Sequence, residues 1–176
     1  MANEHETTLS ALQTAIRMEI DGKEFYQKSS KSSRNPLGKE LLKKLAGEED
    51  VHRKVFENIY NNIRAKKGWP GGKIQVDTGK SLNTVFSEAM KEMDRNVKAI
   101  PGEIEAIQTA MAMENKTFDY YKSQGGKATF GAEKDFYEKL AIQEEEHHRV
   151  LLEYFEFLKN PAAYFVQKEH HSLDGG

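Results

Sequence analysis

Residues 45–52 read Leu-Ala-Gly-Glu-Glu-Asp-Val-His, and residues 140–147 read Leu-Ala-Ile-Gln-Glu-Glu-Glu-His. A second pair of related stretches, 11–19 and 106–114, has the same separation of 95 residues. Each half therefore carries one lone glutamate and one Glu-x-x-His pair: Glu19, Glu49 and His52, then Glu114, Glu144 and His147. Four carboxylates and two imidazoles form a complete ligand set for two metal ions.

Apolar residues at three- or four-residue spacing predict four long helices. We expect them over about 7–32, from Pro36 to about 66, from Pro101 to glycines 125–126, and from about 132 to 159. Asn35 before Pro36 is typical of an N-cap followed by a first-turn proline. The connections inside each pair are short, so each pair should form an antiparallel hairpin.

The connection between the two pairs is long. It begins as a loop at Trp69, and apolar residues between Phe86 and Val97 then predict a short amphipathic helix. The fold class is thus expected to be all-α: a ferritin-like four-helix bundle of two repeated antiparallel hairpins, joined by a long crossover with a short extra helix. We expect a single domain over 1–176, with repeat halves at about 8–66 and 101–160, the crossover at 67–100 and a C-terminal tail at 161–176.

Counting from the two turns places the repeated residues at one depth. Glu19 and Glu49 each lie 15 residues from Arg34, where the first hairpin turns, and the second hairpin repeats this arrangement around Thr129. At 1.5 Å per residue, all four glutamates lie about 22 Å from their turns. Each histidine follows its glutamate by three residues and therefore shares its helical face. The six side chains should meet in the middle of the bundle.

Charge balance favours two divalent cations among these side chains. Four carboxylates buried without compensation would be prohibitively costly. Oxygen and nitrogen ligands suit iron, manganese or zinc. We expect Glu49 and Glu144 to bridge the two ions, because each shares a helix with a histidine. Glu19 and Glu114 would then be terminal ligands.

The alternative interpretation of these glutamates and histidines is that they are ordinary surface residues of glutamate-rich helices, spaced in this way by coincidence. The run Glu-Glu-Glu-His-His at 144–148 would fit that alternative if it stood alone. The repeat argues against it, because an internal copy specifies which glutamate and which histidine are kept. The register also favours Glu144 and His147 over Glu145 and His148.

Composition excludes several other classes. The 176 residues carry a formal net charge of -2, so nothing resembles the basic surface of a nucleic-acid-binding protein. No apolar run approaches the roughly 20 residues of a membrane span, and the N-terminus has no apolar segment of a signal peptide. We expect a cytoplasmic protein with no nucleic-acid or membrane partner. The absence of cysteine excludes Cys-ligated iron sites.

At these residues the chain resembles the rubrerythrin group of the ferritin-like di-iron superfamily, over roughly residues 8–160. The matching elements are Glu19-x-x-Gly22-x-x-Phe25-Tyr26, Leu45-Ala-x-Glu-Glu49-x-x-His52, Glu114 followed by Tyr120-Tyr121, and Leu140-Ala-x-x-Glu144-x-x-His147. The resemblance implies two iron ions reacting with hydrogen peroxide or dioxygen, usually in a homodimer. Tyrosines near such sites commonly hydrogen-bond the terminal carboxylates, which makes Tyr26 and Tyr121 candidates, each two turns after its own glutamate.

The chain departs from this group in two ways. Rubrerythrins typically carry a rubredoxin domain that delivers electrons, and a cysteine-free chain cannot form its iron site. A separate electron-donor protein is therefore expected. The group also usually has an additional glutamate one turn after the third-helix ligand, where this chain has Thr117. This departure counts against peroxide reduction through a redox-dependent switch of ligand at that position.

Three functions are compatible with this site. The leading prediction is a non-haem di-iron oxidoreductase that reduces hydrogen peroxide or dioxygen in oxidative-stress defence. A ferroxidase that feeds iron storage or detoxification would use the same ligands. A catalytically silent metal-binding helical module is the third alternative. The zinc-protease signature His-Glu-x-x-His is absent, which makes hydrolysis less expected than any of these.

Overall fold

The computed structural model describes residues 2–70 and 101–164. Within these ranges the chain forms four long helices: α1 (Ala2–Ser32), α2 (Pro36–Arg64), α3 (Pro101–Lys127) and α4 (Gly131–Lys159). Residues 161–164, after the end of α4, are also helical. Helix α1 packs along α2, and α3 packs along α4, so the four helices form two hairpins, and α1 also contacts α3. The predicted all-α, ferritin-like bundle of two hairpins is confirmed. The short extra helix predicted in the crossover lies outside the described residues.

The turn of the first hairpin follows the predicted capping pattern. The side-chain oxygen of Asn35 accepts a hydrogen bond of 2.9 Å from the backbone nitrogen of Leu37, and Pro36 is the first residue of α2. The amide would otherwise lack an intrahelical acceptor. Helix α2 ends at Arg64, and Gly68 beyond it has a φ of 74°, a conformation that favours glycine.

Two predicted helix ends were wrong. Helix α1 begins at Ala2, earlier than predicted, and α3 continues through both glycines to Lys127. Gly125 lies inside α3 and faces α4. A Cβ atom at Gly125 would lie 3.4 Å from the Cβ of Tyr137 on α4, an ordinary van der Waals distance. The glycine therefore packs against α4, and it does not end the helix.

The buried apolar residues form two clusters, one toward each end of the bundle. The first includes Leu42, Ile107 and Phe157, near the turn between α1 and α2. The second includes Leu12 and Phe56, toward the opposite end. Fully burying each such side chain contributes roughly 1.5–3 kcal/mol. On every helix the repeated glutamate lies between residues of the two clusters, so both clusters shield the middle of the bundle from water.

A buried polar network joins the first turn to the second hairpin. Glu103 on α3 accepts hydrogen bonds from the hydroxyl groups of Ser33 and Tyr154, the latter at 2.9 Å. Gly38 passes directly beside this network, and a Cβ atom there would lie only 2.3 Å from the Tyr154 hydroxyl oxygen. The close approach requires glycine and fixes the position of α2 against α4.

Candidate metal centre

The middle of the bundle contains the six repeated side chains. Helix α1 supplies Glu19, α2 supplies Glu49 and His52, α3 supplies Glu114, and α4 supplies Glu144 and His147. All six are buried, with at most 3% of each residue exposed to solvent. The structure thus brings together every residue that the repeat indicated. Their binding of metal stays a prediction.

One half of the cluster is arranged around His147. Its Nδ1 atom lies 3.2 Å from Oε1 of Glu49 and 3.5 Å from Oε2 of Glu114. Oε2 of Glu144 is 3.9 Å from the same nitrogen. One atom from each of these four residues lies within 4.8 Å of every other, the spacing of atoms that could share an ion.

The other half is arranged around His52. Its Nδ1 atom lies 3.4 Å from Oε2 of Glu19 and 3.5 Å from Oε1 of Glu144. One atom each of Glu19, Glu49 and His52 again lies within 4.8 Å of the others. The two imidazole rings stack with their centroids 5.8 Å apart and an interplanar angle of 11°. The two candidate ion positions therefore lie side by side.

The geometry distinguishes two kinds of carboxylate. Glu49 contributes an atom to both groups. Glu144 directs one oxygen toward each histidine. These two residues are placed to bridge, whereas Glu19 and Glu114 each face a single histidine. The bridging roles of Glu49 and Glu144 and the terminal roles of Glu19 and Glu114 stay predictions.

Tyr26 and Tyr121 are buried and donate hydrogen bonds to the two terminal carboxylates. The Tyr26 hydroxyl donates to Glu114, and the Tyr121 hydroxyl donates to Glu19. Each tyrosine thus reaches the glutamate of the other half, not the glutamate two turns earlier on its own helix. Burial and nearby carboxylates raise the pKa of both hydroxyl groups well above the usual value, so both remain protonated donors. The bonds tie each hairpin to the other.

A carboxylate contacts the outer nitrogen of one histidine, and sequence reasoning assigned it no role. Nε2 of His147 lies 2.9 Å from Oε2 of Glu48. Gln143 is buried near His52 and acts to raise the pKa of its ring, but Oε1 of Gln143 has no hydrogen-bond partner of good geometry among the described residues. These two positions are also 95 residues apart and belong to the repeat. The repeat could have revealed them, because their residues flank the bridging glutamates on both helices.

Burial opposes negative charge in this cluster. It raises the pKa of Glu19 to about 7, and it raises the pKa values of Glu49 and Glu144 well above the usual range. Repulsion from the Glu114 carboxylate raises all three pKa values further. Without metal, these carboxyl groups therefore hold protons at pH values where exposed glutamates are ionised.

His147 and Glu114 behave differently because they form an ion pair. Burial alone would raise the pKa of Glu114, but the attraction of the charged His147 imidazole outweighs it and lowers that pKa to about 2. Burial also opposes the charge on His147, yet Glu114, Glu48 and Glu49 together hold its pKa well above the usual value. Burial lowers the pKa of His52, which lacks an equally strong partner.

Several polar atoms of the cluster have no hydrogen-bond partner of good geometry among the described residues. They are Oε2 of Glu19, Oε1 of Glu49, both carboxylate oxygens of Glu144, and Nδ1 of His52 and His147. An unsatisfied buried polar atom costs roughly 1–3 kcal/mol. These atoms are the same ones that face each other across the cluster. Two cations would satisfy them together, so the donor set fits a di-metal centre.

The position of the additional family glutamate contains no ligand. Thr117 donates its hydroxyl hydrogen bond to the backbone oxygen of Met113, 3.0 Å away on its own helix. Its counterpart in the first half is Gly22, where a Cβ atom would lie 3.1 Å from Oε2 of Glu49. Gly22 thus gives the Glu49 carboxylate room on that side of the centre.

Comparison with known proteins agrees with this geometry. The family model described as Rubrerythrin matches residues 10–154, most of the chain. The chain therefore belongs to the rubrerythrin family. A search of curated proteins and a search of solved structures found no match.

Proposed function

We propose that this member of the rubrerythrin family is a non-haem di-iron oxidoreductase that reduces hydrogen peroxide or dioxygen and so defends the cell against oxidants. The observation that carries the proposal is the buried cluster of four carboxylates and two imidazoles, whose unpaired atoms face one another. Family membership supports iron as the metal, and manganese and zinc are the alternatives that the same donors accept.

Each ion would be held by one histidine and one terminal carboxylate. His147 and Glu114 would hold one ion, and His52 and Glu19 the other. Glu49 and Glu144 would be shared between them. When bound, the two irons would supply two electrons and open coordination positions for a small oxidant.

The chain itself would orient the ligands and keep water out. Tyr26 and Tyr121 hold the terminal carboxylates by hydrogen bonds, leaving the second oxygen of each toward its histidine. Glu48 would hold the His147 imidazole so that its Nδ1 atom faces the centre. The two apolar clusters enclose the site at both ends. Metal binding must also displace the protons that burial places on the carboxyl groups.

Electrons would come from a separate donor protein. The 176 residues contain no cysteine and so cannot form a rubredoxin-type site. Within the described residues, no helix is long and apolar enough to cross a membrane. We propose a cytoplasmic homodimer that takes electrons from a small redox partner, with neither nucleic acid nor membrane as a partner.

Anaerobic reconstitution with Fe(II) tests the function. The protein should bind two irons per chain, and stopped-flow absorbance should record oxidation by hydrogen peroxide that is much faster than oxidation by dioxygen. An iron-loaded protein that reacts with neither oxidant would overturn the proposal and favour a silent metal-binding module. Turnover of many Fe(II) ions per chain, with iron retained in a hollow assembly of many subunits, would instead favour iron storage.

A further inference from the structure

We propose that the two ion positions differ in affinity, and that Glu48 makes the position beside His147 the tighter one. This inference rests on the di-metal centre of the proposed function and adds an order of loading to it. It assigns Glu48 as a positioning residue, because this residue would act on the ion only through the imidazole of His147.

The first observation is a break in the repeat symmetry behind the two histidines. Oε2 of Glu48 lies 2.9 Å from Nε2 of His147, and the Glu48 side chain is only 17% exposed. The residue 95 positions later is Gln143, which is 3% exposed and close enough to act on the pKa of His52, but its Oε1 atom has no hydrogen-bond partner of good geometry among the described residues. His147 therefore has a carboxylate bonded to its outer nitrogen, and the equivalent position near His52 holds a neutral amide.

The second observation is a difference between the two donor sets. Four residues around His147 offer mutually close ligand atoms, and three of them are carboxylates. The group that contains His52 has only three such residues, because the Glu144 oxygen that lies 3.5 Å from His52 is not equally close to the other ligand atoms. The ligand atoms around His147 are therefore the better preorganised set. This difference is independent of Glu48, since Glu48 belongs to neither group. Both observations favour the same position.

The physical consequence is a stronger ligand on the His147 side. A carboxylate that accepts the Nε2 hydrogen bond fixes the imidazole tautomer with Nδ1 toward the ion and makes that nitrogen more basic. The neutral amide at position 143 adds no charge near His52. The ligand atoms around His147 also need less rearrangement to close on an ion, which favours binding at that position. The His147 position should therefore fill first, and the ion beside His52 should exchange first.

Variants that exchange a carboxylate for an amide of the same shape, or the reverse, test this inference with Co(II) as the probe. Metal-free wild-type protein, E48Q, Q143E and the double variant E48Q/Q143E are titrated anaerobically against a competing chelator, and cobalt absorbance is recorded. E145Q is the matched control, since Glu145 is exposed and lies beside the ligand Glu144. Circular dichroism of each metal-free variant confirms that the bundle is folded.

Wild type and E145Q should bind two cobalt ions in two separated steps. E48Q should weaken the tighter step about 10- to 100-fold and leave the weaker step unchanged. Q143E should tighten the weaker step, so that the two affinities converge. In wild type, one equivalent of Co(II) should shift the imidazole NMR signals of His147 before those of His52. The double variant should reverse that order.

Two equal binding steps in wild type, or equal effects of E48Q on both steps, would overturn the inference. So would His52 signals that shift first in wild type. Failure of wild type to bind any cobalt would overturn the di-metal centre itself. Iron-loaded protein that is inert to oxidants would overturn only the proposed reaction. The three failures are therefore distinguishable.

Discussion

Replacing Glu19 with glutamine should flatten the pH dependence of the stability of the metal-free protein. Burial raises the pKa of Glu19 from 4.5 to about 7. A carboxyl group whose pKa is raised by folding contributes stability that is fully present below pH 4.5 and is lost as the pH rises through 7. A change of 1 in the pKa corresponds to about 1.4 kcal/mol, so the stability lost through this single group is roughly 3 kcal/mol. Glutamine stays neutral and can still accept the Tyr121 hydrogen bond.

Urea unfolding in the presence of a chelator measures this difference. Near pH 4, Glu19→Gln and wild type should have similar free energies of unfolding. At pH 8, the variant should be more stable, by up to about 3 kcal/mol. Adding Fe(II) anaerobically should reverse the order, because the variant lacks one terminal carboxylate. Glu145→Gln changes the same chemical group on the exposed face, and it should match wild type at both pH values.

Two outcomes would refute this reasoning. A chelated Glu19→Gln variant that is less stable than wild type at pH 8 would mean that the carboxylate is stabilising without metal. An unchanged pH dependence would mean that the group is ionised in the folded protein over the whole range. Either result would remove the argument that burial places a proton on this ligand.

Three further substitutions test other parts of the structure. Gly22→Ala should leave the stability of the metal-free protein equal or higher, since alanine favours helix over glycine by about 1 kcal/mol. The variant should bind metal more weakly, because its Cβ would lie 3.1 Å from Oε2 of Glu49. Calorimetric titration with Co(II) measures both binding steps. Tyr26→Phe removes the hydroxyl that donates to the Glu114 carboxylate, so the affinity for Co(II) should fall roughly tenfold in the same titration. An unchanged affinity would contradict the role of Tyr26 in orienting this carboxylate. Gly38→Ala should destabilise the protein by roughly 1–3 kcal/mol, because the new Cβ would clash with the Tyr154 hydroxyl. A thermal melting point equal to that of wild type would refute the conclusion that this close approach requires glycine.

The sequence predicted the bundle and the six-residue cluster because both depend on local rules. Helical periodicity and the Asn35 cap specify where α2 begins. Depth along a helix follows from residue counting, so the sequence alone places Glu19 and Glu49 at one level. The repeat resolved the remaining choice, namely which glutamate near His147 points inward.

The features that the sequence did not predict depend on contacts between helices. Helical spacing relates Tyr26 to Glu19 on its own helix, but only the packing of α1 against α3 shows that its hydroxyl reaches Glu114. The same holds for Gly125, whose role is set by Tyr137 on the neighbouring helix. The difference between Glu48 and Gln143 is visible in the sequence, but its meaning requires the position of each histidine ring.

Anomalous diffraction from crystals of the iron-loaded protein, recorded at the iron absorption edge, tests the di-metal centre most directly. The account predicts two peaks of similar height in the middle of the bundle, about 3.5–4 Å apart. One should lie beside His147 and Glu114, and the other beside His52 and Glu19. A single peak, or peaks confined to the protein surface, would contradict the account.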